Sequence, residues 1–185
     1  MNPNSLMWID ISKGLGILTV VAAHIYGGLT SGVIHIFHIP FFFFISGYLY
    51  NRVKNNKRSY FSDKAIHLLV PYFSFLILIY GPLAVAEIIQ HGLHANIVIT
   101  SVIGGRSLGG WVGVFWFVTC LFAVQQSMNI LLNKYSLRMV AWTMLLFLII
   151  GYVNSIHFPG LWLPWNLNVV FAACPFFFVG HLAQK

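Results

Sequence analysis

The sequence predicts an all-α integral membrane protein, and three observations support this fold class. Hydrophobic residues make up 59% of the 185 residues and charged residues only 7%, whereas about 25% of the residues in an average soluble domain are charged. Apolar runs of roughly the 20 residues that a helix needs to cross a bilayer follow one another along the chain. Basic residues are concentrated between alternate runs, which is typical of the cytoplasmic connections of a membrane protein.

The apolar runs predict about six transmembrane helices within one membrane domain, residues 1–185. Their approximate bounds are 11–31, 33–50, 66–90, 112–132, 139–154 and 167–183. The basic segment NRVKNNKRSYFSDKA connects the second run to the third, and NKYSLR connects the fourth to the fifth. We therefore expect a bundle of helices joined mostly by short connections.

Lysine and arginine predict the orientation of these helices. With the N-terminus in the cytoplasm, every lysine and arginine except Arg106 lies on the cytoplasmic side. Such a bias is the usual signature of membrane topology. It also accounts for the net charge of +7 without a basic patch for nucleic acid, so we expect membrane lipid as a partner and no nucleic acid.

The first run, WIDISKGLGILTVVAAHIYG, carries Asp10, Lys13 and His24. His24 follows Lys13 by three helical turns, on nearly the same face and about 16 Å further along the axis, and Asp10 falls within roughly 40° of that face. The spacing predicts one polar stripe that leads inward from the cytoplasm.

His24 is the candidate general base of this stripe. A neutral imidazole can take up a proton near neutral pH and return it later, and ionisable groups inside a membrane are costly and usually functional. The alternative is a packed histidine bonded to a backbone carbonyl, beside an interfacial ion pair of Asp10 and Lys13. The functional interpretation is favoured because the residue lies within a transmembrane helix.

The second run places His38 two residues before Pro40. Because proline bends a helix, we expect His38 to face the bundle at this kink. Ser46 lies in FISGY, which lacks the GxSxG frame of a nucleophile elbow. That context favours helix packing beside Gly47 over nucleophilic catalysis.

Lys64 and His67 lie where the basic connection enters the third run. These residues either anchor and orient the helix or form a basic rim for a phosphate-rich cofactor. The sequence alone does not decide between the two interpretations. The two cysteines, Cys120 and Cys174, make no CxxC or zinc spacing. We expect buried thiols and no metal site.

Four segments, taken together, resemble the membrane acyltransferase-3 family, which includes bacterial sugar O-acetyltransferases of the fucose 4-O-acetylase type. WIDISKGLGILTVVAAH is similar to the first-helix signature of the family, and FHIPFFFFISGYLY is similar to its second helix. VFWFVTCLF is similar to its Trp-Phe-Leu helix, and PFFFVGHLAQK to a later phenylalanine-rich helix. The resemblance runs over essentially the whole chain.

The resemblance implies an acyl-CoA donor, acetyl-CoA or another, on the cytoplasmic side of a bacterial cytoplasmic (inner) membrane. It assigns the catalytic histidine to His24 and places Lys13, with Asp10 beside it, near the donor. Lys64 and His67 match the positions of an Arg-x-x-Arg pair in many members, and the substitution of histidine weakens the charge at the second position.

The resemblance also implies the acceptor, a hydroxyl group of a saccharide or lipid-linked glycan, such as an exopolysaccharide or lipopolysaccharide. His38, Ser46 and Trp116 match family positions and are candidate substrate or pocket residues. Family members have about ten spans, each long enough to cross a bilayer. We therefore expect these residues to form the N-terminal part of a larger ten-helix bundle, or a truncated product.

Two other classes of function remain open from the residues. Kinked helices and intramembrane histidines also suit a multi-span transporter or channel component. The third class is an inert remnant, or a subunit that needs a partner to supply further helices.

Overall fold

The computed structural model describes residues 3–26, 28–51, 57–91, 104 and 110–184, and these residues are helical almost throughout, with no strand among them. The α-helices are α1 (Pro3–Tyr26), α2 (Gly28–Tyr48), α3 (Lys57–Lys64), α4 (Val70–His91), α5 (Trp116–Lys134), α6 (Leu137–His157) and α7 (Leu167–Ala183). A π-helical turn (Ala65–Leu69) joins α3 to α4, and 3₁₀ turns (Gly110–Phe115 and Pro164–Asn166) precede α5 and α7.

Several helical segments have the length and composition of membrane spans. Five qualify within the described chain: Met7–Tyr26, Ser59–Ile79, Gly113–Lys134, Leu137–His157 and Pro164–Ala183. A shorter apolar helix covers Gly32–Tyr48. The prediction of an all-α, multi-pass membrane protein is confirmed.

The predicted boundary between the first two spans, at 31 and 33, is wrong, because α1 ends at Tyr26 and α2 begins at Gly28. Two other helices extend beyond the apolar runs that predicted them. The third begins at Lys57 in the basic connection, whereas its run began at residue 66, and α6 is longer at both ends than 139–154. Hydrophobicity marks the part of a helix that faces lipid, while backbone hydrogen bonding continues into polar residues at its ends. The predicted orientation rests partly on Arg52, Lys54, Arg106 and Lys185, which lie outside the described residues.

The chain divides into two compact units, of which the first comprises Met1–Asn51 and Ala173–Lys185. Within it, α1 packs on α2, where Gly16 lies against Phe41 and Phe42. Ile9, Gly16 and Ala23 are buried at a spacing of seven residues. That spacing returns to almost the same face of a helix every two turns.

Two glycines bring α2 against the end of α7 in this unit. A Cβ atom on Gly47 would overlap the backbone carbonyl of Phe177, and one on Gly180 would overlap that of Phe44. Small residues permit such close approach, which matters in lipid because packing contacts take the place of a hydrophobic force between helices. Tyr50 adds a ring contact with Phe177, at 5.6 Å between centroids.

The second unit comprises Arg52–Ala172, and a large buried face of α5 lies within it. This face includes Thr119, Gln125 and Asn129 as well as apolar residues. Asn133 Nδ2 donates to the backbone oxygen of Asn129 at 2.8 Å and to its Oδ1 at 2.9 Å. Polar groups of this kind help to hold transmembrane helices together.

The aromatic packing of this unit joins α3 to α5 and α4 to the 3₁₀ turn that precedes α5. Phe61 contacts Phe122 with 5.5 Å between ring centroids, and the buried Tyr72 contacts Phe115 at 5.8 Å. Both cysteines are buried thiols, as predicted.

Candidate functional site

The cytoplasm-proximal part of the predicted stripe forms an ion pair on α1. Lys13 Nζ lies 3.6 Å from Asp10 Oδ1, and the two side chains are 40% and 76% exposed. A spacing of three residues brings side chains together on a helix surface. The pair therefore presents a positive and a negative group side by side, open to a ligand.

His24 lies in the last turn of α1 and is exposed. Its Nδ1 is 2.8 Å from the backbone oxygen of Val20. Because a carbonyl oxygen only accepts hydrogen bonds, this contact assigns the proton to Nδ1 and the basic lone pair to Nε2 of the neutral ring. The local backbone thus fixes the tautomer that a proton acceptor requires.

His38 has the same local bond in a different setting. Its Nδ1 is 3.0 Å from the backbone oxygen of Ile34, but the side chain is only 8% exposed. It lines a cavity of about 510 Å³ between α1 and α2, whose other polar side chains are Ser12 and Thr19. The remaining walls are apolar apart from backbone groups, so the cavity suits a largely apolar group beside one imidazole.

The two histidines do not share this cavity. The cavity-lining face of α1 includes Gly16 and Thr19, and His24 lies about 140° around the helix from Thr19. Lys13 is about 100° from the lining residue Ser12. The polar stripe therefore occupies a different face of α1 from the one that encloses His38.

The other predicted donor residues lie in the second unit. Lys64 ends α3, and its Nζ is 5.5 Å from the ring centroid of Tyr60, a distance at which a cation interacts with an aromatic face. His67 is exposed within the π turn. Such turns often occur at functional sites, which makes this segment distinct from an ordinary helix start.

The remaining predicted pocket residues are Ser46 and Trp116. Ser46 is half-buried and precedes the glycine that packs against α7. Trp116 begins α5, packs edge-on against Phe117 and accepts a hydrogen bond from Thr119 Oγ1 at its backbone oxygen, 2.9 Å away. Neither lines the α1–α2 cavity.

A cavity with two asparagines at the α6–α7 connection was not predicted from the sequence. Asn154 and Asn168 hydrogen-bond to each other there, with Trp162 beside them. Asparagines inside or bordering apolar runs were a usable signal, because polar groups in a membrane helix need partners. Within the described part of the chain, no three His, Cys, Asp or Glu side chains form a metal-binding group.

The fold and its polar groups define a class, that of multi-pass helical membrane proteins with proton-accepting and cationic side chains on their helices. Residues 6–185 match the family model described as an acyltransferase domain. The chain belongs to the acyltransferase-3 family, which supports a transferase that moves acyl groups. Comparisons with curated proteins and with solved structures found no match.

Proposed function

We propose that the protein is an acyl-CoA-dependent O-acyltransferase that acylates a hydroxyl group of a saccharide or lipid-linked glycan at a bacterial inner membrane. Family membership supports the acyl transfer itself. The observation that carries the proposal further is the exposure of His24 on the same helix as the Asp10–Lys13 pair. His24 Nδ1 lies 2.8 Å from the oxygen of Val20, a contact that the non-catalytic alternative also predicts. It leaves Nε2 as the basic nitrogen, as general-base catalysis requires.

The proposed reaction is a direct transfer. Nε2 of His24 removes the proton of the acceptor hydroxyl as its oxygen attacks the thioester carbonyl carbon. The carbon–sulfur bond then breaks, and the coenzyme A thiolate takes up the proton from the imidazolium. The products are an O-acyl ester, free coenzyme A and a neutral histidine ready for the next cycle.

The cationic side chains supply the proposed donor site. Lys13 is held by Asp10 but keeps 40% of its side chain exposed, so it can attract the phosphates of the donor. Lys64 and His67 remain proposed donor residues on the strength of the family resemblance. Each of these side chains would contribute to donor binding by its positive charge. We expect that contribution to weaken as the salt concentration rises.

The acyl group and the acceptor have separate candidate contacts. The α1–α2 cavity with His38 offers apolar walls for the acyl or pantetheine part of the donor. Ser46 and Trp116 remain proposed pocket residues on the strength of the family resemblance.

The test measures release of coenzyme A from acetyl-CoA by the purified protein in lipid nanodiscs, with a panel of methyl glycosides and lipid-linked glycans as acceptors. We expect release that depends on acceptor and is lost in His24→Ala. A matched His38→Ala variant, in which the same type of backbone bond is removed, is expected to keep turnover at saturating donor and to show its effect in the KM for the donor.

Two outcomes contradict the proposal. Undiminished transfer by a folded His24→Ala variant would remove His24 as the base. Acceptor transport into proteoliposomes without acyl-CoA, together with no coenzyme A release by the wild-type protein, would instead support a transporter component.

A further inference from the structure

The cavity of about 510 Å³ between α1 and α2 lies entirely within the first unit of the chain. Its lining residues on α1 are Ser12, Leu15, Gly16 and Thr19, and those on α2 extend from Val33 to Phe41. Among the residues that the structure describes there, neither wall includes an aspartate, glutamate, lysine or arginine. The cavity therefore offers no permanent charge to a phosphate or a carboxylate, which favours an uncharged ligand.

The cavity lies at membrane depth and opens to one side. Its α1 wall occupies the middle of the apolar span Met7–Tyr26. At its rim, Leu15 and Phe37 are 59% and 71% exposed, whereas Gly16 and His38 at its floor are buried. Side chains exposed at this depth of a bilayer face hydrocarbon, so the open side of the cavity is reached from the lipid.

An aromatic pair lies beyond the cavity, at the end that the predicted orientation places toward the cytoplasm. Trp8 precedes Ser12 by one helical turn and lies within about 40° of it on α1. Its ring packs edge-on against that of Tyr48, with 5.3 Å between the centroids. Tryptophan and tyrosine are typical of the boundary between hydrocarbon and water, so the cavity lies on the hydrocarbon side of this pair.

Two of the three polar side chains of the cavity are bonded within their own helices. Thr19 Oγ1 donates to the backbone oxygen of Gly16 at 2.7 Å, and His38 Nδ1 donates to that of Ile34 at 3.0 Å. A pantetheine arm would bring amide groups and a hydroxyl, whose loss of water needs compensating hydrogen bonds. A hydrocarbon chain needs none, so it fits these walls better.

The dimensions of the cavity suit one chain and are too narrow for a helix. From Val33 to Phe41 the α2 wall is about 12 Å long, at about 1.5 Å per residue. A volume of about 510 Å³ over that length gives a mean cross-section of roughly 40 Å², whereas a helix about 10 Å across needs roughly 80 Å². Half of a hydrocarbon core of about 30 Å is about 15 Å, so the length is close to that of an acyl chain in one leaflet.

We propose that the α1–α2 cavity is a binding site for one unbranched hydrocarbon chain, whose methylene groups would contact Leu15, Ile34 and Phe37. Two kinds of molecule share this chemistry, a phospholipid of the bilayer and a donor that carries a long acyl group. An acetyl group would leave most of the cavity empty. The lipid source is independent of the proposed function, whereas the donor source rests on it and narrows its acyl group to chains longer than acetyl.

The test is photolabelling of the protein in a steroid-based detergent, which supplies no alkyl chain of its own. The probe is a phosphatidylglycerol with a diazirine in the middle of one acyl chain, and mass spectrometry of the peptides locates the label. We expect saturable labelling of segments 12–19 and 33–41, with no more than one label per chain. Unlabelled phosphatidylglycerol should remove that label.

A second arm of the experiment distinguishes the two sources of the chain. Dodecanoyl-CoA and acetyl-CoA are added as competitors of the phospholipid probe. Displacement by dodecanoyl-CoA but not by acetyl-CoA would support a long-chain donor in the cavity. Saturable labelling that neither thioester displaces would assign the cavity to bilayer lipid and contradict the donor source.

A matched pair of variants on α2 tests the location of the site. Val33 lines the cavity and Ile36 does not, while both are exposed β-branched residues, at 49% and 68%. Val33→Trp should fill the cavity and reduce saturable labelling severalfold, and Ile36→Trp should leave it within about twofold of wild type. If Val33→Trp lowers Tm, Leu15→Trp fills the cavity from α1 and should give the same loss of labelling.

The outcomes separate a chain site from the general lipid boundary. Labelling that rises in proportion to the probe without saturating, or that is equal in Val33→Trp and Ile36→Trp, would overturn the chain site. The exposed faces of α1 and α2 would then contact only the surrounding lipid of the bilayer. Saturable phospholipid labelling in a protein that shows no acyl transfer would keep the chain site and contradict only the proposed chemistry.

Discussion

The two faces of α1 present two histidine environments that share one local bond. His24 lies on the exposed stripe of α1 and His38 lines the α1–α2 cavity from α2, yet each Nδ1 meets the carbonyl oxygen four residues earlier. The backbone therefore gives both rings the same tautomer. What differs is access, since His24 is exposed and His38 is 8% exposed beside an apolar cavity.

This difference teaches that the tautomer alone does not identify a catalytic base. A base must reach its substrate, and the exposed stripe offers that access together with the charge of Lys13 and Asp10. The α1–α2 cavity offers apolar walls beside a buried imidazole. We therefore propose proton transfer for the stripe and substrate contact for the cavity.

The largest effect, on kcat, is expected from replacing His24 by glutamine, with replacement of His38 as the comparison. His24→Gln keeps a polar side chain of similar size but removes the base, so kcat should fall by at least about 100-fold, the lower end of general-base contributions. His38→Gln should change kcat by less than about tenfold. Acetyl-CoA turnover in nanodiscs measures both, with thermal unfolding as the control for folding. A larger loss in His38→Gln would reverse the assignment.

The second largest loss is expected in stability, from the contacts that hold α2 against α7. Gly47→Ala would place a methyl group on the carbonyl of Phe177, where neither backbone can move freely. We expect a loss of about 1–3 kcal/mol, or more if the helices separate, seen as a lower Tm in detergent.

Gly32→Ala is the matched control, because Gly32 is on the same helix and a Cβ there meets no atom within 4 Å. Alanine is also the better helix former, by about 1 kcal/mol, so this variant should be as stable as wild type or more so. Equal losses of Tm in both variants would show that α2 tolerates no side chain at either position, and the contact with Phe177 would not explain the effect.

These contacts show what the sequence could and could not predict. Long apolar runs and the Lys and Arg distribution predict the helices, because lipid imposes simple rules of length and charge. The ion pair of Asp10 and Lys13 also follows from helical periodicity. The separation of His24 from the His38 cavity does not, since it depends on which face of α1 packs against α2.

The cavity between α6 and α7 was missed for a related reason. Asn154 and Asn168 belong to different helices, and their pairing arises only when the connection folds back between them. Local spacing carries no information about such a contact. A search for polar residues at the facing ends of consecutive apolar runs would have selected both residues as candidates.

A smaller effect, on the KM for the donor, is expected from filling the α1–α2 cavity. Leu15 lines it, so Leu15→Trp should raise the KM for long-chain acyl-CoA donors severalfold and leave that for acetyl-CoA nearly unchanged. Leu18→Trp is the control, because Leu18 is similarly exposed, at 64% against 59%, but does not line the cavity. An equal rise for every donor in both variants would contradict a role in holding the acyl group.

The smallest effect is expected at the ion pair of Asp10 and Lys13. There, the direction in which the KM for acyl-CoA changes distinguishes donor binding from anchoring of the helix. Exposed pairs stabilise a protein by about 1 kcal/mol or less, so neither Lys13→Gln nor Asp10→Asn should change Tm appreciably. If Lys13 attracts the phosphates of the donor, Lys13→Gln raises the KM for acyl-CoA severalfold. Asp10→Asn lowers that KM slightly, because it removes a competing negative charge. Both changes should shrink at high salt, where exposed charges are screened. KM values that move together in the two variants, or that do not respond to salt, would mean that the pair only anchors α1 at the membrane surface.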